Sequence, residues 1–316
     1  MKKWIIALLA ILLLIVLSTY IFIPSKLTVS NISIIEANEN GTLRNLSDEN
    51  KWQKWWNYRD EDLLPTSQKT TSSFTCNNNS YKLSEKQYKS VKINIENKGR
   101  SIESIIFLIP LKADSTVVRW QFTVAASSNP FKRILDYQAA KEMKGCMNNI
   151  LDHLKLFLQK KENVYGASFE RTSFKDTLLI STKAISNTYP STSFIYNLVK
   201  SLKSFAINKG ALQTAAPIYN ITKEDKLFNV MVALPVNKVL PDEGKFAFKK
   251  MIPGSFITTM VTGGEQSVNN AMQKIHQYFN DYHLTSMAIN FKMLITDRSA
   301  ESDTTKWLTK IYQPVY

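Results

Sequence analysis

The feature that most restricts the fold is an echo in the second half of the chain. Residues 227–234 read as a strand running into Pro235 and Val236, and the last strand-like run ends Gln313-Pro314-Val315. The same series precedes each ending. In the first copy a strand at 178–185 leads to a helix opened by Ser191 or Thr192, with Phe194, Leu198, Leu202 and Phe205 on one side, then strands at 216–221 and 227–234. In the second, strand character at 246–261 is broken at Pro253-Gly254. A helix from Ser267 follows, with Ala271, Ile275, Tyr278 and Phe279, then strands at 287–296 and 307–315. Such self-similarity marks a duplicated unit, βαββ followed by βαββ.

The first half predicts a different series. A strand at 26–35, carrying Leu27, Val29, Ile32 and Ile34, changes face once; short helical pieces follow in "LSDENKWQKWWN", where Ser47 or Asp48 can cap. Strand-like runs at 72–76, 88–95, 102–109 and 116–124 are separated by Asn-, Ser- and Gly-rich breaks. Asn129-Pro130 then opens a long helix to about Lys161, on which Met143, Met147, Ile150, Leu151, Leu154 and Leu158 recur at helical spacing. With 316 residues and 44% apolar composition, the chain fits two α+β domains plus an extra segment.

That segment is at the start. Residues 4–23 carry no charge; Lys2 and Lys3 precede them and Pro24, Ser25 and Lys26 follow. The run is long enough to span a bilayer, and the basic tail places the N-terminus in the cytoplasm. The expectation is therefore a single-pass anchor at 1–25 in a bacterial inner membrane, the lipid bilayer as partner through residues 4–23, and all later residues on the periplasmic or extracytoplasmic side. A cleaved signal peptide, for which Leu17-Ser18-Thr19 is a poor site, and a buried helix are the competing readings. A connector at 162–175 separates a domain at 26–161 from one at 176–316.

The element order over 26–161, with "W..WW" at Trp52, Trp55 and Trp56 after the first strand, resembles the helix-grip fold of the START-like superfamily, also called the SRPBCC or polyketide cyclase/dehydrase group. The resemblance implies a curved antiparallel sheet, a long closing helix and a ligand cavity. Trp55, Trp56 and Trp120 become candidate rings at its mouth, with core packing as the alternative. Residues 176–316 resemble the GyrI-like, or AraC-type effector-binding, domain through "MIPGSFITTMVTGG" and through "NFKMLITD" followed by "DTTKWLTKIYQPV". This implies a pseudo-symmetric pair of βαββ repeats around a ligand cleft, and makes Phe256, Glu265, Lys292 and Trp307 candidate ligand-binding residues.

Lys292 is the informative one. In 287–296, Met287, Ile289, Phe291, Met293 and Ile295 share one face, so Lys292 points to the other. It stands where the resemblance places a Glu that pairs with cationic ligands. The reversed charge disfavours a cation and admits a neutral or anionic molecule. Glu265 is the nearest substitute acid, although an acid at a helix start also complements the dipole.

The three histidines, His153, His276 and His283, show no metal-binding spacing, and no nucleophile-base order is recognisable, so no catalytic residue, metal or cofactor is assigned. Cys76 and Cys146 permit a disulfide without implying one. The formal charge of +14 is scattered, which fits a solvated basic surface; no helix-turn-helix is left over, so no nucleic-acid partner is expected. The sequence thus points to an anchored, extracytoplasmic protein that binds a hydrophobic, neutral or anionic small molecule without its own catalysis. A hydrolase or cyclase acting in one of the two clefts is the alternative, and a scaffold with filled clefts a third.

Overall fold

The first helix, α1 (Lys2–Phe22), has its last turn joined to a later helix. In this computed structural model, which describes residues 2–57 and 74–316, the Tyr20 hydroxyl donates to the Ser128 carbonyl at 2.6 Å and Arg133 Nε donates to the Ile23 carbonyl at 2.8 Å. The Arg133 guanidinium also lies 4.9 Å from the centroid of the Tyr20 ring, and Thr19 and Ile23 are buried. Among the described residues no helix is long and apolar enough to cross a membrane. The transmembrane anchor at 1–25 and the bilayer as partner through residues 4–23 are therefore corrected. The physical reason is tertiary: the last turn of α1 is tied by hydrogen bonds and burial to the start of a later helix. The inner-membrane, extracytoplasmic placement rested on that span and falls with it.

Two compact units make up the chain, Met1–Val164 and Tyr165–Tyr316. After α1 the first runs β1 (Lys26–Ile35), α2 (Glu39–Leu46), α3 (Glu49–Trp55), β2 (Phe74–Cys76), β3 (Asn79–Lys86), β4 (Ser90–Asn97), β5 (Arg100–Lys112), β6 (Ser115–Ala125), α4 (Pro130–Leu158) and α5 (Lys161–Tyr165). Its strands form one antiparallel sheet in the order β1-β6-β5-β4-β3-β2. Helix α4 starts where Asn129 accepts the Phe131 and Lys132 amides and Pro130 needs no partner. Its apolar stripe, Met143, Met147, Ile150 and Leu154, packs into one cluster with Ile93, Ile95, Ile106, Val118 and Trp120. Burial of this kind is the main favourable term, at roughly 25 cal/mol per Å² of apolar surface.

Three local outcomes differ from the sequence reading. Strand β1 does not change face: Leu27, Val29, Asn31 and Ile35 point inward, and Ile32 and Ile34 stay exposed. The inward polar residue is tolerated because Asn31 Nδ2 donates to the Lys144 carbonyl at 2.8 Å. Strand β3 lies in the stretch between the strands expected at 72–76 and 88–95, where Asn77 turns the chain with φ of 52° and Asn79 already pairs with Cys76. Cys76 and Cys146 form a disulfide, Cα–Cα 5.9 Å, which clamps the edge strand to α4. Of the strand expected at 72–76, positions 72 and 73 lie outside the described residues.

The second unit contains β7 (Glu170–Ser173), β8 (Leu178–Ser186), α6 (Thr192–Asn208), β9 (Ile218–Glu224), β10 (Leu227–Pro235), β11 (Phe246–Lys250), β12 (Ser255–Thr262), α7 (Glu265–Asp281), β13 (Phe291–Leu294) and β14 (Leu308–Val315). They form one eight-stranded sheet in the order β11-β8-β10-β9-β13-β14-β12-β7. Outward from the β9/β13 junction, one half reads β9, β10, β8, β11 and the other β13, β14, β12, β7. Each half places the second, third and first strands of a βαββ unit in that order and adds an outer strand. Pro235 and Pro314 lie at the ends of the matching strands β10 and β14. Residues 162–175, read as a connector, include α5 and β7, and β7 pairs with β12.

Alternation sorts the sheet into two faces. Ile180, Tyr219, Val230, Val232 and Leu294 pack with Ile195, Val199 and Leu202 of α6. On the other face Leu179, Ile218, Ala233, Phe256, Phe291, Met293 and Tyr312 form a separate cluster with Phe174. The strand expected at 287–296 forms only where partners exist: Lys292 opposite Tyr219 and Phe291 opposite Tyr312. Met287 and Ile289 fall outside the ladder and remain exposed.

Candidate functional site

Glu265 and Lys292 meet at the start of α7. Lys292 Nζ donates to Glu265 Oε1 at 3.2 Å, with the lysine side chain 11% exposed. Two phenols complete the arrangement. Tyr189, just before the α6 cap Ser191, donates to Glu265 Oε1, and the Tyr219 hydroxyl donates to Oε2 at 3.4 Å. The Lys292 ammonium also lies 5.4 Å from the centroid of the Tyr219 ring. Burial, then the Glu265 hydrogen bond, push the Tyr189 hydroxyl above the ordinary phenol range; burial, then the Glu265 charge, do the same for Tyr219. Both remain protonated donors near neutral pH.

The loop geometry that delivers Glu265 is legible residue by residue. Gly263 has φ of +119°, and a Cβ there would collide with the Ser267 side chain, so the turn from β12 into α7 requires glycine. Gly264 caps the helix without a side chain, and Glu265 supplies the complementary charge in the first turn. Trp307 is one step removed. Its indole N–H donates to the Glu301 carbonyl at 2.9 Å and its ring lies 4.5 Å from the guanidinium of Arg298, which donates to Thr309 Oγ1 at 2.6 Å. Chemically this is a charge-balanced knot: a carboxylate engaged by an ammonium and two phenols joins the two halves of the sheet.

Phe256 belongs elsewhere. On the opposite face of the sheet from Lys292 lies a cavity of about 350 Å³ lined by Leu179, Ile218, Met231, Ala233, Phe256 and Phe291, with Met251–Gly254, Ala288 and Ile289 at its rim. Behind it Phe291 stacks on Tyr312 with centroids 4.8 Å apart, while Phe256 and Phe174 meet Phe291 edge-on at 5.5 and 5.2 Å. The rim is fixed by hydrogen bonds to backbone carbonyls: Asn220 Nδ2 donates to the Asn290 carbonyl at 2.8 Å and the Met251 amide to the Thr177 carbonyl at 2.8 Å. Lys249 and Lys250 are the charged residues of the lining, which contains no carboxylate side chain.

Trp55, Trp56 and Trp120 are core residues of the first unit. All three are buried, and their indoles donate to the Asn45 carbonyl, the Thr75 carbonyl and Ser104 Oγ at 3.3, 3.2 and 2.9 Å. An open groove of about 490 Å³ in that unit, bridged by the 2.8 Å Arg100–Asp136 pair, is not lined by any of them. Among the described residues no group of three or more His, Cys, Asp or Glu could hold a metal ion. Sequence reasoning missed Tyr189, Tyr219, Arg298 and both rim lysines. The tyrosines and Arg298 sit in loops or strands that only the sheet order brings to Glu265. For the lysines, the end of strand character before Pro253-Gly254 was the available signal.

No family model matches the chain, and no curated protein matches it. Among solved structures it is similar to the EcmrR C-terminal domain, at 19% identity over 48% of this chain and 98% of that one, TM-score 0.42. It is also similar to an uncharacterized conserved protein from Listeria innocua, at 13% identity over 48% of this chain and 93% of that one, TM-score 0.39. A third is SAV2435 bound to tetraphenylphosphonium, at 16% identity over 47% of this chain and 94% of that one, TM-score 0.33.

Proposed function

We propose that this chain is a small-molecule-binding protein, and that its second unit takes a hydrophobic, neutral or anionic ligand in the cavity lined by Phe256 and Phe291, without catalysis of its own. The observation that carries the proposal is that cavity: concave, aromatic, with its rim held by hydrogen bonds to backbone carbonyls, and of a size at the lower end of ligand pockets. Its lining has no acidic side chain to neutralise a buried cation, which supports the charge preference. The engagement of Glu265 by Lys292 and two tyrosines supports binding without chemistry, since a carboxylate so occupied is a poor base. In the first unit, one strand, two short helices, a meander and a long helix support a START-like reading, to which no ligand is assigned.

The test is a fluorescence titration of the full chain with an anilinonaphthalene sulfonate probe, followed by displacement with decanol. Saturable binding is expected, and Ala288→Trp, which places an indole at the exposed rim, should abolish it while the circular dichroism spectrum stays unchanged. Binding that survives both Ala288→Trp and Ala233→Phe would place the ligand elsewhere.

A further inference from the structure

We infer that the ligand is an amphipathic monoanion, a carboxylate or sulfonate on an aliphatic or aryl body, and that Lys249 holds its charged head at the mouth of the cavity. This rests on the reading of that cavity as the binding site. Its support is a separation of charges that the sheet imposes. Lys292, the cation that sequence alone marks as charge selector, is neutralised by Glu265 and lies on the opposite face from Phe291. Lys249 lines the cavity and is paired with Leu179 across the sheet.

Register fixes where Lys249 points. Lys249 is paired with Leu179, a lining residue, and paired residues of antiparallel strands share a face, so the Lys249 side chain leaves the sheet on the cavity side. Lys250 is paired with Leu178, which packs with the α6-side cluster, so its side chain leaves the sheet on the other face and Lys249 is the lysine aimed at the cavity. Aromatic walls alone would attract a cation. The Lys249 ammonium at the entrance, with no acidic side chain in the lining, reverses that preference. The rest of the mouth is apolar surface with nothing over it: Ile252 is 84% exposed and Ile289 58%. An amphiphile matches both features, because its body covers the apolar rim and aromatic floor while its head stays with Lys249 and water. At about 350 Å³ the cavity suits a single chain or ring system.

The experiment is calorimetric titration of the full chain with three probes of one tail and different heads, decanoate, decanol and decyltrimethylammonium, each below its micelle concentration. Decanoate should bind about tenfold more tightly than decanol, and the ammonium most weakly, with the gap closing as salt is added. Lys249→Gln should bring decanoate to the level of decanol and leave decanol unchanged, while Lys250→Gln should leave the decanoate preference intact. Equal binding of decanoate and decanol by the unaltered protein, or tightest binding of the ammonium, would overturn the headgroup assignment and leave the cavity reading standing. Binding of none of the three would overturn both.

Discussion

Lys292 Nζ and Glu265 Oε1 lie 3.2 Å apart across the two secondary-structure elements that flank the loop 282–290, and the pair is mostly shielded from water. A lysine in place of an acid therefore does not leave a bare positive charge on the helix-covered face. It creates an internal ion pair, braced by Tyr189 and Tyr219.

Breaking that pair should cost stability. Lys292→Met strands Glu265 with two phenols and is expected to lower the unfolding free energy by about 1–3 kcal/mol, less than a fully buried pair because the Glu265 side chain is 29% exposed. Urea titration of Lys292→Met, Glu265→Gln and the double variant gives the coupling. Additive single losses would show that the two groups do not support each other.

Alkaline pH should weaken the fold. Burial is the leading cause that raises the phenols of Tyr81, Tyr189 and Tyr219 above the ordinary value near 10. A folded-state value above the unfolded one means the protonated form stabilises the fold fully below pH of about 10, and this contribution is lost as pH rises beyond it. The melting temperature is expected to hold from pH 7 to 9 and fall above 10, with a shallower fall in Tyr219→Phe. An alkaline fall that is identical in Tyr219→Phe would separate Tyr219 from the effect.

Reduction should act on the first unit. The Cys76–Cys146 bond closes a sequence separation of 70 residues, for which loop-closure entropy gives about 4 kcal/mol. Dithiothreitol, or Cys76→Ser with Cys146→Ser, should lower the midpoint of a thermal transition that is monitored by tryptophan fluorescence. Free thiols found in the unreduced, denatured protein would show that the bond is absent.

Trp120 tests the core reading of the candidate tryptophans. Its ring is fully buried and its N–H reaches Ser104, so Trp120→Ala should cost about 3–5 kcal/mol in denaturant unfolding. A loss below about 1 kcal/mol would mean the ring is not packed as described.

What the sequence disclosed was periodic, and what it hid was long-range. The matched series ending at Pro235 and Pro314 and the α4 stripe were readable because helix and strand spacing are local. Tyr189 and Glu265 are 76 residues apart and meet only because β9 and β13 are neighbours in the sheet. Leu179, Phe256 and Phe291 line one cavity for the same reason. Residues 4–23 read as a span because hydropathy reports length and polarity, whereas the docking of Tyr20 and Ile23 on Ser128 and Arg133 is tertiary. Asn31 points inward against its polarity because one carbonyl of α4 is placed to receive its amide.

The central claim, a ligand cavity between β8, β9, β12 and β13, is tested most directly by methyl NMR of the methionines as decanol is added to the full chain. Met231 and Met251 line the cavity, whereas Met143 and Met147 belong to the first-unit core. The account expects the Met231 and Met251 methyl signals to shift saturably while those of Met143 and Met147 stay fixed. Shifts confined to Met143 and Met147, or no shift at any methionine, would contradict it.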